Sequence, residues 1–147
     1  MMPIFALIPD SIGVPWVYVG IFAGASAVWL LIWWLDPNLR RKREFALELT
    51  HRTPLPDAEF VAQSFDSCNL DPEIPSKVRQ IFAKHMEYPA EKLFADDDFT
   101  FFWAELDMVD MVREIESRFG VQFPNVEIER TPCTIRAVSL LVAHKAH

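Results

Sequence analysis

The feature that most constrains this chain is a charge-free stretch near its start. Between Asp10 and Asp36 there is no Asp, Glu, Lys or Arg. The apolar core of that stretch, Val14 to Leu35, is 22 residues long. As a helix it measures about 33 Å at 1.5 Å per residue, the hydrocarbon thickness of a bilayer. Trp16 and Tyr18 stand at one end and Trp33 and Trp34 at the other, where amphipathic rings favour the membrane interface. Burying so uniformly apolar a helix in a soluble core would take a larger protein. A cleaved signal peptide is the competing reading, because Ala23-Gly24-Ala25-Ser26-Ala27 has the small residues of a cleavage site. It is disfavoured because no positive region precedes the run and the run continues past that point.

Arg40-Arg41-Lys42-Arg43 follow the run, while the other flank carries only Asp10. The positive-inside rule then predicts a single-pass inner or plasma membrane protein, N-terminus outside and the remainder cytoplasmic. The same four basic residues suit anionic headgroups. Gly20 and Gly24 have the small-xxx-small spacing that permits two membrane helices to pack as a homodimer, although glycine is common in membrane spans whatever their packing. The expected division is a tail and transmembrane helix over 1–36, a basic juxtamembrane helix and linker over 37–71, and a small helical bundle over 72–147. Within the linker a helical continuation with Leu39, Phe45, Leu47 and Leu49 is expected to be interfacial, ending at Pro54 and Pro56. Asp57 is expected to cap a short helix reaching Phe65.

The bundle reads from periodicity. Pro72 or Ser76 opens a helix in which Val78, Ile81, Phe82 and Met86 form one apolar stripe. Tyr88-Pro89 breaks it. A second helix is expected to bury Leu106, Val109, Val112, Ile115 and Phe119, and to turn Asp107, Asp110, Glu114 and Ser117 elsewhere. Gly120 suits its left-handed stop. Asn125 to Arg130 reads as a short polar segment. Thr131 or Thr134 caps the last helix, with Ile135, Val138, Leu141 and Val142 facing inward. Strand alternation is nearly absent, so the expected fold is all-α. From residue 53 onward there are nine Lys/Arg against seventeen Asp/Glu, a balance of −8. Such a surface repels phosphate backbones, which argues against nucleic acid, and attracts a basic partner.

The order of these pieces resembles an acyl carrier protein over roughly residues 72–144. The residues that carry the resemblance are Leu106-Asp107-Met108-Val109-Asp110-Met111-Val112, then Glu116-Ser117-Arg118-Phe119-Gly120-Val121-Gln122-Phe123-Pro124, and Thr134-Ile135-Arg136-Ala137-Val138 at the last helix. The family shows a Leu-Asp-x-Val-Glu-Leu-Val helix, an exit of the form Glu-x-x-Phe-x-Ile-x-Ile-Pro, and a Thr-Val start to its final helix. Its carriers have Asp-Ser-Leu at the start of the second helix, and that serine receives phosphopantetheine. Here the sequence is Ala104-Glu105-Leu106, so Glu105 occupies the expected serine position. A carboxylate cannot form the phosphodiester that an alcohol forms. The resemblance therefore implies a pseudo-carrier, a three-to-four-helix bundle with no arm, no acyl cargo and no cofactor. It also implies that the acidic second helix docks partners, through Glu105, Asp107, Asp110 and Glu114 with Trp103 beside them.

Other chemistry is weakly supported. Asp96-Asp97-Asp98 lacks the spacing of a calcium loop and reads as a solvated acidic loop. His51, His85, His144 and His147 are dispersed, and no metal-ligand pairing arises from their spacing. Cys68 and Cys133 read as free thiols. No nucleophile elbow or phosphate loop is present, so no enzyme is expected. Phe99, Phe101, Phe102 and Trp103 either fill the bundle or form a contact patch. Three functions compete: a non-catalytic membrane-anchored interaction module, an active carrier modified at a non-standard position, and a structural subunit held in a membrane complex by its transmembrane helix.

Overall fold

The structure is a computed structural model and describes residues 16–102 and 107–146. Those residues form α1 (Trp16–Leu35), α2 (Pro37–His51), α3 (Asp57–Phe65), α4 (Glu73–Met86), α5 (Asp107–Phe119), α6 (Asn125–Arg130) and α7 (Ile135–Ala146), with short 3-10 turns between some of them. No strand occurs among the described residues, so the chain is all-α. It divides into two compact units, one ending at Arg40 and the other Arg41–His147.

α1 is an unbroken 20-residue helix with no acidic first turn and no basic last turn. Its large apolar side chains point outward, Trp29 at 69% exposure and Phe22, Ile32 and Trp34 beside it in this respect. The side chains of Trp16 and Trp33 lie outside the described residues. Among the described residues no single helix is long and apolar enough to cross a membrane; only the pair Gly20–Ile32 and Pro37–His51, bent by 60° at the break between them, meets that test together. A Cβ added at Gly20 or Gly24 would meet nothing within 4 Å, so no contact within the chain requires glycine there.

The expected helical continuation is instead a restart. Pro37 lacks an N–H and disfavours helical backbone at Asp36, which ends α1 at Leu35. Asp36 then caps the new helix: its Oδ1 accepts from Asn38 N at 2.9 Å and its carbonyl from Arg40 N at 3.1 Å. Proline at the first helical position fits this cap.

In the larger unit α4 is the central element, packed against α3, α5 and α7. Its Val78, Ile81, Phe82 and Met86 are all buried, as their spacing predicts, together with Ile74 and Ala83. Of the two expected openers, Pro72 stands at its start and makes no side-chain cap bond. Asp71 before it meets the first amides, with Oδ1 accepting from Glu73 N at 3.0 Å and its carbonyl from Ile74 N at 3.0 Å. α2 contributes Phe45 and Leu49 to the same core. Phe45 meets the rings of Tyr88, Phe99 and Phe101 at centroid distances of 5.6, 5.7 and 5.5 Å. Phe99, Phe101 and Phe102 are buried, so these three fill the bundle, while Trp103 lies outside the described residues.

Three arginines lock the segment before α4 onto the bundle. Arg52 forks onto Asp97, Nη1 at 2.6 Å and Nη2 at 2.9 Å, with its guanidinium 4.6 Å above the Phe94 ring. Arg136 of α7 forks onto Asp96 at 2.5 and 2.8 Å and also donates to the Ser64 carbonyl. Arg79 of α4 is fully buried. It donates to the Leu93 and Leu55 carbonyls at 3.1 and 3.0 Å and to Asp57 Oδ1 at 2.9 Å, and it stacks 4.2 Å over Phe60. Its Nη2 has no hydrogen-bond partner. Burial pulls the Arg79 guanidinium below its ordinary value, against the hydrogen bond to Asp57.

Two sequence expectations are corrected by these pairs. Asp57 begins α3 but makes no cap bond; its carboxylate instead takes Arg79 and, at 3.2 Å, Gln80 Nε2. A charged partner 22 residues away competes successfully with a neighbouring amide because charge-assisted bonds are the stronger kind. The acidic triplet keeps Asp96 and Asp98 exposed, as a solvated loop does, yet its carboxylates have partners. Asp96 and Asp97 are ion-paired with distant arginines, and Asp98 accepts from Thr100 N and Oγ1 at 2.9 and 2.6 Å. Asn125–Arg130, expected to be a polar connection, is a short helix that starts after Pro124.

Candidate functional site

The candidate docking helix is α5, and its orientation follows from which residues it buries. Met108, Met111 and Ile115 are buried, with Val112 and Phe119 half-buried. Val109 is 52% exposed. The expected stripe of Leu106, Val109, Val112, Ile115 and Phe119 is therefore rotated. At 100° per residue, Val109 stands a quarter-turn away from Met108, on the rim of the buried face. Leu106 lies outside the described residues. The end of the helix is as its sequence predicts. Gly120 adopts φ +66°, Val121 N returns to the Glu116 carbonyl at 3.1 Å, and Glu116 Oε1 accepts from Phe123 N at 2.7 Å.

Of the five residues expected to meet a partner, the structure places two side chains. Glu105 and Trp103 lie outside the described residues, and so does the side chain of Asp107. Asp110 is exposed and lies 3.6 Å from Arg113 one turn on, a loose surface pair of little energetic weight. Glu114 is engaged within the bundle. Its Oε2 takes Lys84 Nζ at 2.7 Å and His85 Nε2 at 2.8 Å, both on α4. The hydrogen bond from Lys84, then that from His85, holds the Glu114 carboxyl below its ordinary value. Sequence spacing could not show this pairing, since the partners lie 30 and 29 residues away.

Beside α5 runs an open cleft of about 360 Å³. Met108, Val109, Val112 and Arg113 of α5 line one wall, and Ile128 and Glu129 of α6 line the other. Beneath it is an apolar pocket of about 30 Å³ between Met108, Met111, Ile115, Phe82, Cys133 and Leu141. That is room for about one water or methyl group, where a cavity near 150 Å³ is needed to hold benzene. Both cysteines are free thiols. Burial, with the charge of Asp98 adding, pushes the Cys133 thiol up to about 12, so it stays protonated and is a poor nucleophile at neutral pH. Among the described residues no group of three His, Cys, Asp or Glu side chains could hold a metal ion.

The four basic residues after α1 are not equivalent. Arg40, Arg41 and Arg43 are exposed, whereas Lys42 is half-buried with its Nζ 4.6 Å over the Phe102 ring. Arg41 lines a crevice with Glu44, Glu48, Arg52 and the acidic triplet. In comparisons with known proteins no family model matches the chain, and neither a curated protein nor a solved structure matches it.

Proposed function

We propose that the chain is a non-catalytic, membrane-anchored, acyl-carrier-like interaction module on the cytoplasmic face, docking a basic partner surface beside α5. The observation that carries the reading is α1: twenty helical residues without a charge, about 30 Å long, with tryptophan, phenylalanine and leucine side chains facing outward on several sides. An apolar surface of that extent is costly in water and favourable in lipid. The basic run Arg40 to Arg43 orients it with the larger unit inside.

The absence of cargo rests on Glu105 standing where a carrier has serine. Docking rests on the acidic balance of the larger unit and on Asp110, while Glu114 is already shared with Lys84 and His85. The intact chain, purified from its native membrane, should have the mass of its sequence. A mass gain matching phosphopantetheine on any residue would favour the active-carrier reading instead. Asp110→Lys should weaken co-purification of the partner, whereas a structural subunit held by α1 would keep its partner in that variant.

A further inference from the structure

We propose that the open cleft between α5 and α6 seats one element of the partner, a short basic amphipathic helix that lays leucine-type side chains into it. This rests on the docking role given to α5 and adds a second wall, an occupant and a register. The floor of the cleft comes first. Met108, Val112, Phe123 and Ile128 line it and also line the small apolar pocket beneath, so the floor is continuous with the core. Met108 and Phe123 are buried, Val112 and Ile128 half-buried, and Val109 on the lip is 52% exposed. Apolar side chains left partly in water on both walls of one trough gain from being covered. Methionine in the floor adapts to whatever side chain enters.

Shape says what kind of body fits. From Met108 to Glu116 the α5 wall runs about 12 Å along its axis, or two helical turns. An open trough leaves most of a small ligand in water, whereas small-molecule sites bury about 70–90% of theirs. A helix laid lengthwise covers the floor with side chains at i and i+4 and keeps its other face wet. No strand edge exists among the described residues for an extended peptide to join.

Charge sets the sign of the occupant. Glu116 and Glu129 line the cleft with Arg113, and Arg113 is met by Asp110 at 3.6 Å. Glu129 is exposed and makes no ion pair among the described residues, whereas Glu127 on the same helix is held by Lys145 Nζ at 2.7 Å. A lysine or arginine beside the leucines meets Glu129 at the rim, where complementary charge selects the partner. A second copy of this chain is the poorer occupant, because each copy brings the same excess of acid, −8 from residue 53 onward.

The test uses the full chain in phosphatidylcholine nanodiscs. The probe is a synthetic amphipathic peptide with leucine on one face, lysine on the other and one photo-activatable leucine at its centre. A scrambled peptide, a glutamate-for-lysine peptide and empty discs are the controls. Cross-links are mapped by mass spectrometry, and the ε-methyl resonances of Met108 and of Met86, which lines neither cavity, are followed in titration. The expected result is cross-links on α5 and α6, a saturable shift of Met108 with Met86 unmoved, and several-fold weaker binding of both control peptides. Glu129→Lys should weaken the basic peptide several-fold, and Val109→Asp should abolish its cross-links. Both side chains are exposed, and an unmoved Met86 resonance checks that each variant is folded. Equal labelling by the scrambled peptide, a preference for the acidic one, or unchanged affinity in both variants would overturn the inference. So would release of the peptide as the chain concentration rises, which would give the cleft to a second copy. Loss of the native partner in Asp110→Lys with no peptide in the cleft overturns the cleft alone. A partner retained in Asp110→Lys, with the cross-links absent as well, overturns the docking role of α5 too.

Discussion

α4 and α1 are both continuous helices, of 14 and 20 residues, and they distribute their apolar side chains differently. α4 sorts its side chains. Val78, Ile81, Phe82 and Met86 face the core, while Lys77 and Lys84 face solvent or partners on neighbouring helices. It even carries a charge inward, Arg79, because two carbonyls, a carboxylate and an aromatic face are waiting there. α1 does not sort. Its apolar side chains surround the axis, and its described large residues are exposed. The contrast teaches that apolar content alone does not make a core helix. Segregation marks a helix that packs against protein, and its absence in α1 is what the membrane-spanning role proposed for that helix would require.

The sharpest way to break this comparison is to remove residues 1–35. The shortened chain should move entirely from the membrane pellet to the soluble fraction in a carbonate wash, with its helical far-UV signal retained. Retention in the pellet would mean that the larger unit, and not α1, holds the membrane. Next in size is a pair of substitutions in the disc-reconstituted chain. Arg79→Ala should cost about 3 kcal/mol in urea unfolding, the lower end for breaking a buried ion pair, since Asp57 is half-exposed. Leu30→Ala in α1 should change the same transition by less than about 0.5 kcal/mol. A similar cost for both would erase the distinction.

Smaller still is Gly120→Ala. The added Cβ meets no neighbour within 4 Å, and only the φ of +66° opposes it, so a loss of about 1 kcal/mol is expected. A clearly larger loss would point to an unrecognised contact at the α5 exit. Smallest is the acid limb of stability. The carboxyl of Glu114 is held below its ordinary value of 4.5 by Lys84 and His85. Its contribution is therefore complete above that value and is lost as pH falls through the depressed folded one. Glu114→Gln should flatten this limb by at most about 1 kcal/mol. An unchanged pH profile would show that the α4–α5 pair adds nothing to folding.

Much of the fold was legible in the residues. The α4 stripe, the Thr134 cap of α7, whose Oγ1 accepts from Ala137 N at 3.1 Å, and the Gly120 stop all depend on neighbours within one or two turns. The candidate site was less legible. On α5 Met108 and Met111 compete with Leu106 and Val109 for the buried face, and both sets step at helical intervals. Which set turns inward depends on what α4 and α7 present, and no local pattern encodes that. α2 misled in the same way. Its four apolar residues read as an interfacial face, yet Phe45 and Leu49 enter the core and Leu47 stays outside.

The sequence by itself determined the helical class, the uncharged run that becomes α1 and the stop at Gly120, because each follows from backbone preference or periodicity over a few residues. Only the tertiary structure decided the rest. It rotated α5 and drew Phe45 into the core. It turned Asp57, Asp96, Asp97 and Glu114 from solvent acids into clasps on Arg79, Arg136, Arg52 and the Lys84–His85 pair. The physical reason is distance along the chain. Those partners stand 22 to 45 residues apart, and only packing brings their charges within reach.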